Sequence, residues 1–508
     1  MRTLLLAGLV GWGLTQAESI PPATTLDQLQ DQFRQVLSAT SSPGAAWGIQ
    51  VNSRRTGATW FGTNSASRFI PASNTKLFTA ALALDRLGGD YRFSTSLRIQ
   101  SPPNAQGVLA GDLWVVGSGD PTLCARLKGG SWEKAFAPLV AAVQARGIWR
   151  IQGNLLCDER RFRGPPYGSG WGWDDLAQYY GAAVSALTAE DNSLQVKALP
   201  GSRVGDPARL ELLPLTSGLT LVSTVTTGDT NAPPRLDVAR LPGERVLEVS
   251  GTVPLGAEPV VEEAAVPDPA RWFGELLREA LRRQGILVDG EIRILRAADR
   301  NAQPLDESTW TELAAVPSPA VGEVVREMMK PSQNLYAQLL WLAAGSEAER
   351  YPREGEEAVK SAATTEEAGQ NVMNLFLQRN GFPAQEVVLE EGSGLSRKNL
   401  VSPRAVVQLL ELMPRHAWGE AWMASLPIGG VDGSLKRRFQ QPPTRGNVQA
   451  KTGTLRYVNS LSGYLTNSVG EPLVFSILIN NFVAPTGSRS SREEMDQLIE
   501  LLAQSRIR

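Results

Sequence analysis

Ser73 and Lys76 stand three residues apart in Ile70-Pro-Ala-Ser-Asn-Thr-Lys-Leu-Phe, a spacing that puts both on one face of a helix's first turn. A serine hydroxyl is a weak nucleophile until a neighbouring base takes its proton. A lysine does this when its amine titrates near ~7–8 instead of its ordinary ~10.4, and burial or a second cation brings it there. Two more segments carry matching chemistry. Ser332-Gln-Asn334 is the only Ser-x-Asn in the chain, and it opens an apolar helix after Met-Met-Lys-Pro. Lys451-Thr452-Gly453-Thr454 sits just before a strand pair, in a chain with nine lysines. Lys451 is the candidate second cation. Ser332 is placed to relay the proton to a leaving amine, and Asn334 to fix a substrate backbone. Ser131-Trp-Glu-Lys134 repeats the first spacing but reads as an ordinary capped helix start.

Other chemistries fare poorly. The single histidine, His416, excludes His-Glu-x-x-His zinc sites and leaves Ser-His-Asp catalysis to a residue that reads as a helix end. No serine has glycine at both −2 and +2, and there is no P-loop or paired-cysteine metal motif. No metal or organic cofactor is required. A net charge of −2 supplies no global field for nucleic acid or an anionic membrane. The two cysteines cannot make a disulfide scaffold; a Cys124–Cys157 bond and two free thiols are both open readings.

The elements that must position these groups read as follows. Leu77, Ala80, Ala81, Leu84 and Leu87 recur at helical spacing, with Ser73 as cap and Gly88-Gly89 as stop. The helix is apolar almost all round, so it is expected to be buried, with Lys76 aimed at Ser73. Residues 26–38 form an amphipathic helix, and 46–51 and 59–61 a hairpin. From about 93 to 265 short alternating strands dominate, interrupted by a helix near 131–146. Helices return at Pro267 and at 319–329, 332–345, 366–380 and 402–413. A hairpin of 458–466 and 473–480 follows, and Ser491-x-x-Glu494 is a capping box for the last helix. Met1 to Ala17 reads as a signal peptide, and no later stretch is long and apolar enough for a membrane span. The 508 residues thus divide into a discontinuous α/β unit, 18–92 with 266–508, and an inserted β-rich region, 93–265, with two nested subdomains as a further reading.

Three motifs in the order Ser-x-x-Lys, Ser-x-Asn, Lys-Thr-Gly resemble the penicillin-recognising serine enzymes, the group of penicillin-binding proteins and β-lactamases. The interval of 259 residues from Ser73 to Ser332 is similar to that of the D-alanyl-D-alanine carboxypeptidase/endopeptidase branch, the class C low-molecular-mass penicillin-binding proteins. Gly117-Ser-Gly-Asp-Pro-Thr-Leu123, Trp171-Gly-Trp-Asp-Asp175, Tyr179-Tyr-Gly-Ala182, Gly392-Ser-Gly-Leu-Ser-Arg397 and Leu426-Pro-Ile-Gly-Gly-Val-Asp-Gly-Ser-Leu435 resemble that branch as well. Glu391 stands where the branch usually has Asp, and Ser118 where it has Gly. The resemblance implies an antiparallel sheet flanked by helices with a helical subdomain. It implies Ser73 as nucleophile and an oxyanion hole from the backbone N–H groups of Ser73 and Thr454. Lys451, Thr452, Gly453 and Thr454 would then face a terminal D-alanine carboxylate, and Asp175, Tyr180 and Arg397 the diamino acid of a peptidoglycan stem. The expected activity is D-Ala-D-Ala carboxypeptidase, extended to DD-endopeptidase, with β-lactams as covalent inhibitors and an exported location. A β-lactamase or esterase on the same frame, and a non-catalytic cell-wall binding protein, are the competing readings.

Overall fold

The strand Pro472–Asn480 sends Leu473, Phe475, Ile477 and Ile479 to one side and Val474 and Leu478 to the other, and all six are buried. A strand apolar on both faces belongs inside a sheet covered on both. It is the central strand of a five-stranded antiparallel sheet ordered Thr59–Thr63, Ala46–Ser53, Pro472–Asn480, Val458–Thr466, Gln449–Leu455. On one face lie Leu26–Ser38 and Ser491–Gln504, whose Leu29, Phe33, Leu498 and Leu502 share a core with the sheet. The helices Thr75–Arg86, Val321–Met329, Asn334–Arg350, Thr365–Arg379 and Pro403–Leu412 build a second core against Val474 and Leu478. This is the helix-flanked antiparallel sheet with a helical subdomain. The computed structural model describes residues 21–214, 218–298 and 306–508, so the expected signal peptide lies outside the described residues. Among the described residues no helix is long and apolar enough to cross a membrane.

The inserted region has a different extent from the one read in the sequence. Its main sheet runs Ile292–Leu295, Leu155–Asp158, Leu113–Val116, Ser94–Ile99, Thr311–Pro317, so its last strand lies well past residue 265. The helix Pro269–Arg283 puts Trp272, Phe273, Leu276 and Leu277 into one core with Phe136 and Leu139 of the helix Trp132–Ala145. Helical periodicity announces that a face is buried, but not against which neighbour, and that is why 266–317 reads wrongly as a return to the first unit. Smaller sheets complete the insert. Val246–Pro254 pairs with Thr220–Ser223, Thr226–Gly228 and Arg235–Ala239, and Ser193–Leu199 pairs with Val260–Ala265 and Arg209–Leu213.

Three local readings also change. Ser73 is not a cap: it lies in a 3-10 turn, Ala72–Asn74, and the α-helix begins at Thr75. Cys124 and Cys157 are free and buried, and burial pushes the Cys124 thiol up to about 12. The last helix is capped by Ser490 and Glu493, one residue earlier than read. Glu494 is instead buried and accepts hydrogen bonds from Thr40 Oγ1 at 2.7 Å and Ser41 N at 2.6 Å, tying the last helix to the segment after the first. Removing this acceptor leaves two half-buried donors without their partner. Glu494→Ala is therefore expected to destabilise the fold by about 2–3 kcal/mol, read as a lower urea midpoint against the unaltered chain.

Candidate active site

Pro71 and Ala72 turn the chain so that Ser73 reaches the end of the cleft, with Ala72 in the left-handed region at φ 48°. Such a backbone persists only where its surroundings hold it. Two glycines do so by close approach. A Cβ on Gly394 would lie 2.1 Å from the Ala72 carbonyl oxygen, and one on Gly453 would lie 2.9 Å from Ser73 N and 2.8 Å from Pro71 O. The Ser73 turn is thus clamped between the 391–395 loop and the strand Gln449–Leu455. Ser460 Oγ donates to the Pro71 carbonyl at 2.8 Å, and Asn74 Nδ2 donates to Ser462 Oγ at 2.7 Å.

Lys76 and Lys451 are both 0% exposed. Lys76 Nζ lies 2.9 Å from Ser73 Oγ, 2.6 Å from Asn334 Oδ1 and 2.5 Å from the Ser393 carbonyl oxygen. Burial lowers its pKa to about 7, and the Glu391 carboxylate works in the opposite sense. Lys451 Nζ lies 2.7 Å from Ser332 Oγ and 2.9 Å from the Thr452 carbonyl oxygen. Its amine is pushed well below the ordinary lysine value, by burial first and by the charge of Lys76 second. Each lysine therefore has its own partner from the Ser332–Asn334 segment. Ser332 is itself left-handed at φ 69°, at the bend that separates the two side chains.

Gln449–Leu455 is the edge of the five-stranded sheet; Ala450 N donates outward to the Pro427 carbonyl at 3.0 Å, and beyond it the strand borders a cleft of about 1340 Å³. Ser73, Ser332, Asn334, Thr452, Gly453 and Thr454 line that cleft. Thr452 Oγ1 lies 2.7 Å from Ser434 Oγ, and Thr454 Oγ1 donates to Asn459 Oδ1 at 3.2 Å. Asp175, Tyr180 and Arg397 line the same cleft from the inserted region and the 391–398 loop. The Tyr180 hydroxyl bonds to Asp175, and the tyrosine is pushed up to about 12, chiefly by burial. Burial and the neighbouring Asp174 raise the Asp175 carboxyl, while Tyr180 and Arg397 draw it down. Arg397 Nη2 also donates to the Arg456 carbonyl at 2.8 Å.

All the residues singled out from the sequence therefore meet in or beside one cleft. The contacts that sequence reasoning missed are mostly backbone ones. The Ser393 carbonyl is a direct partner of Lys76, and the Tyr180 carbonyl accepts from Asn334 Nδ2 at 2.8 Å. The Asn334 amide is thus engaged at both ends by the protein. A carbonyl leaves no signature in residue type, so only the neighbouring Gly-Ser-Gly and Tyr-Tyr-Gly patterns pointed there. Ser434, bound to Thr452, lay within a recognised segment but had no residue-level signal of its own.

Known proteins share this arrangement of chain. The model of the D-Ala-D-Ala carboxypeptidase 3 (S13) family matches residues 29–505. The chain is 32% identical over 486 residues to a D-alanyl-D-alanine carboxypeptidase of Actinomadura sp., covering 93% of this chain and 85% of that protein. It is 28% identical over 444 residues to the D-alanyl-D-alanine carboxypeptidase DacB of Haemophilus influenzae, covering 86% of this chain and 85% of that one. The crystal structure of penicillin binding protein 4 (dacB) from Haemophilus influenzae superimposes with a TM-score of 0.77 at 25% identity, covering 93% of this chain and 99% of that one. The same protein complexed with a novel β-lactam gives a TM-score of 0.72, again at 25% identity and with coverage of 93% and 99%. With its motifs, its cleft and nearly its whole length matched, the chain belongs to the D-Ala-D-Ala carboxypeptidase 3 (S13) family.

Proposed function

We propose that the protein is a serine D-Ala-D-Ala carboxypeptidase acting on peptidoglycan stem peptides outside the cytoplasm through an acyl-enzyme at Ser73. The observation that carries this reading is the buried Lys76 amine, 2.9 Å from Ser73 Oγ and half neutral near pH 7. A neutral amine at that distance takes the hydroxyl proton as Ser73 Oγ bonds to the penultimate D-Ala carbonyl carbon. The oxyanion is received by the backbone N–H groups of Ser73 and Thr454, each such donor contributing about 3–4 kcal/mol. Ser332, bridged to Lys451, passes a proton to the leaving amine as the C–N bond breaks. Water then resolves the ester. The outer edge of Gln449–Leu455 beyond Ala450 accepts an extended peptide as an added strand. A terminal carboxylate arriving beside Lys451, Thr452 and Thr454 makes the protonated form of Lys451 favourable again. The same step releases a diamino acid when the leaving amine belongs to a cross-link, so DD-endopeptidase activity follows from the same acyl-enzyme. β-Lactams acylate Ser73 for the same reason, with the ring amide in place of the peptide.

Asp175, Tyr180 and Arg397 form the pocket for the diamino-acid side chain. The Asp175 carboxylate suits an ammonium group, and Arg397 suits a carboxylate beside it.

Intact mass after benzylpenicillin treatment tests the assignment. A penicilloyl adduct is expected on the unaltered chain and on Ser131→Ala, and none on Ser73→Ala. Failure of the unaltered chain to form any adduct overturns the reading in favour of a non-catalytic wall-binding protein. Faster turnover of penicillin than of a D-Ala-D-Ala peptide overturns it in favour of a β-lactamase. The acylation rate is expected to fall about tenfold per pH unit below about 7, because the protonated fraction of Lys76 grows there. Lys76→Arg, charged throughout, is expected to lose about 10²–10⁴-fold in acylation rate. Asp175→Asn is expected to lower kcat/KM about tenfold for a peptide with a free side-chain amine, and to leave the N-acetylated peptide nearly unchanged.

A further inference from the structure

Glu391 is a buried carboxylate with no part in the reaction as written. It is fully buried, and no lysine or arginine of the described residues makes an ion pair with it. Neutral donors surround it instead. Oε2 accepts from Ser393 N at 2.7 Å, Ser393 Oγ at 2.5 Å and Trp171 Nε1 at 3.2 Å. Oε1 accepts from Gly394 N at 2.6 Å and Asn399 Nδ2 at 2.8 Å. The 391–394 turn is therefore wrapped around its own carboxylate, and in that shape the Ser393 carbonyl points at Lys76 Nζ, 2.5 Å away. The Trp171 donor comes from the inserted region. Two residues before it, Ser169 N contacts Glu366 at 3.2 Å, and Ser169 Oγ donates to Glu390 at 3.0 Å and accepts from Lys398 at 3.2 Å.

We propose that Glu391 is a positioning residue for acylation: its carboxylate holds the Ser393 carbonyl against Lys76 and, through the Trp171 indole, ties the inserted region to that lysine. The inference rests on Lys76 acting as the base. When Lys76 takes the Ser73 proton it becomes an ammonium on a fully buried side chain. The Ser393 carbonyl and Asn334 Oδ1 receive its N–H groups, and the Glu391 charge, one turn behind, favours the ion. Glu391 thereby keeps the lysine basic enough to take the proton while burial keeps it neutral enough to start. Direct contact with a carboxylate would hold the amine charged; a carbonyl between them tempers the effect.

The charged groups facing this centre are Lys451 from the edge strand, Glu366 from the helix Thr365–Arg379, and Glu390 and Lys398 from the same loop as Glu391. Burial pushes Glu366 up to about 7, with Glu391 and Glu390 adding to the rise, so it changes charge in the same window as Lys76.

The test is the pH profile of acylation of the full chain by a chromogenic cephalosporin, from pH 5 to 9. Glu391→Gln removes a negative charge, so the Lys76 ammonium is less favoured. The acid-limb midpoint is expected to move to lower pH by roughly half a unit or more, with the plateau rate down about tenfold. Glu391→Asp keeps the charge, and its midpoint is expected to stay within the error of the unaltered chain's. Trp171→Phe leaves the carboxylate with one donor fewer, so the midpoint is expected to move to higher pH. The downward shift of Glu391→Gln should persist in a Glu366→Gln background, where the other carboxylate of this window no longer titrates. Rates that fall with the midpoint unmoved, or a shift that vanishes in Glu366→Gln, overturn the proposal. If Glu391→Gln does not fold, the direction of the Trp171→Phe shift decides. An unaltered chain that is not acylated at Ser73 fails earlier, at the functional reading itself.

Discussion

The structure depends on keeping two lysine amines out of water. Charged, Lys76 and Lys451 would each cost several kcal/mol to bury without a counter-ion, and neither has a carboxylate in contact. Their partners are hydroxyl, amide and carbonyl oxygens, which satisfy an amine's hydrogens without pinning its charge. The amines give up protons instead, and Lys76 arrives near pH 7 for that reason. A lysine on the surface with the same serine three residues away, as at Ser131 and Lys134, has none of this. There Lys134 Nζ merely donates to the Gly129 carbonyl at 3.2 Å, in solvent.

Dry amines demand a tight enclosure, and the enclosure explains the odd backbone around them. Ala72 and Ser332 are both left-handed, and Gly394 and Gly453 are packed so closely that a methyl group would collide with main chain. These strains lie where separate segments touch. They are held by the sheet and by the apolar helix Thr75–Arg86, which is buried along almost its whole length. An unpaired sheet edge is ordinarily an aggregation risk. Here the edge strand Gln449–Leu455 opens into the cleft that holds Ser73 and Ser332, bordered by Asp175 and Tyr180 of the inserted region.

Much of this was legible in the chain because the chemistry is carried by residue types that are costly elsewhere. A lysine inside an apolar helix, a lone Ser-x-Asn and a Lys-Thr-Gly before strands each imply burial or function before any fold is known. The strand Val458–Thr466 is legible to the residue because alternation and turns bracket it. Less legible was anything that depends on partner choice. The helix Pro269–Arg283 has a clear apolar stripe, but nothing in its sequence says that the stripe meets Phe136 and not the helices around Thr75–Arg86. Ser491 and Glu494 satisfy the capping pattern as well as Ser490 and Glu493 do. Only the buried contacts of Glu494 with Thr40 and Ser41 break the tie.

The inserted region enters and leaves at one place. Ser318 N donates to the Phe93 carbonyl at 2.9 Å, Val321 N to Tyr91 at 2.8 Å and Gly322 N to Gly89 at 2.9 Å, so the chain departs after 93 and returns at 318 alongside itself. Adjacent ends let a unit of this size be added without disturbing the parent sheet. Yet the insert is not independent of the chemistry. The segment that carries Trp171, Asp175 and Tyr180 returns to the cleft and supplies a carbonyl for Asn334 and an indole for Glu391. Asn334 in turn contacts Lys76 directly, and the Glu391 charge acts on it through space. A loosened insert would therefore do more than widen the cleft, because it would release contacts to Asn334 and to Glu391, both of which bear on Lys76. In this arrangement one segment of the insert both lines the cleft and braces the surroundings of the buried Lys76 amine.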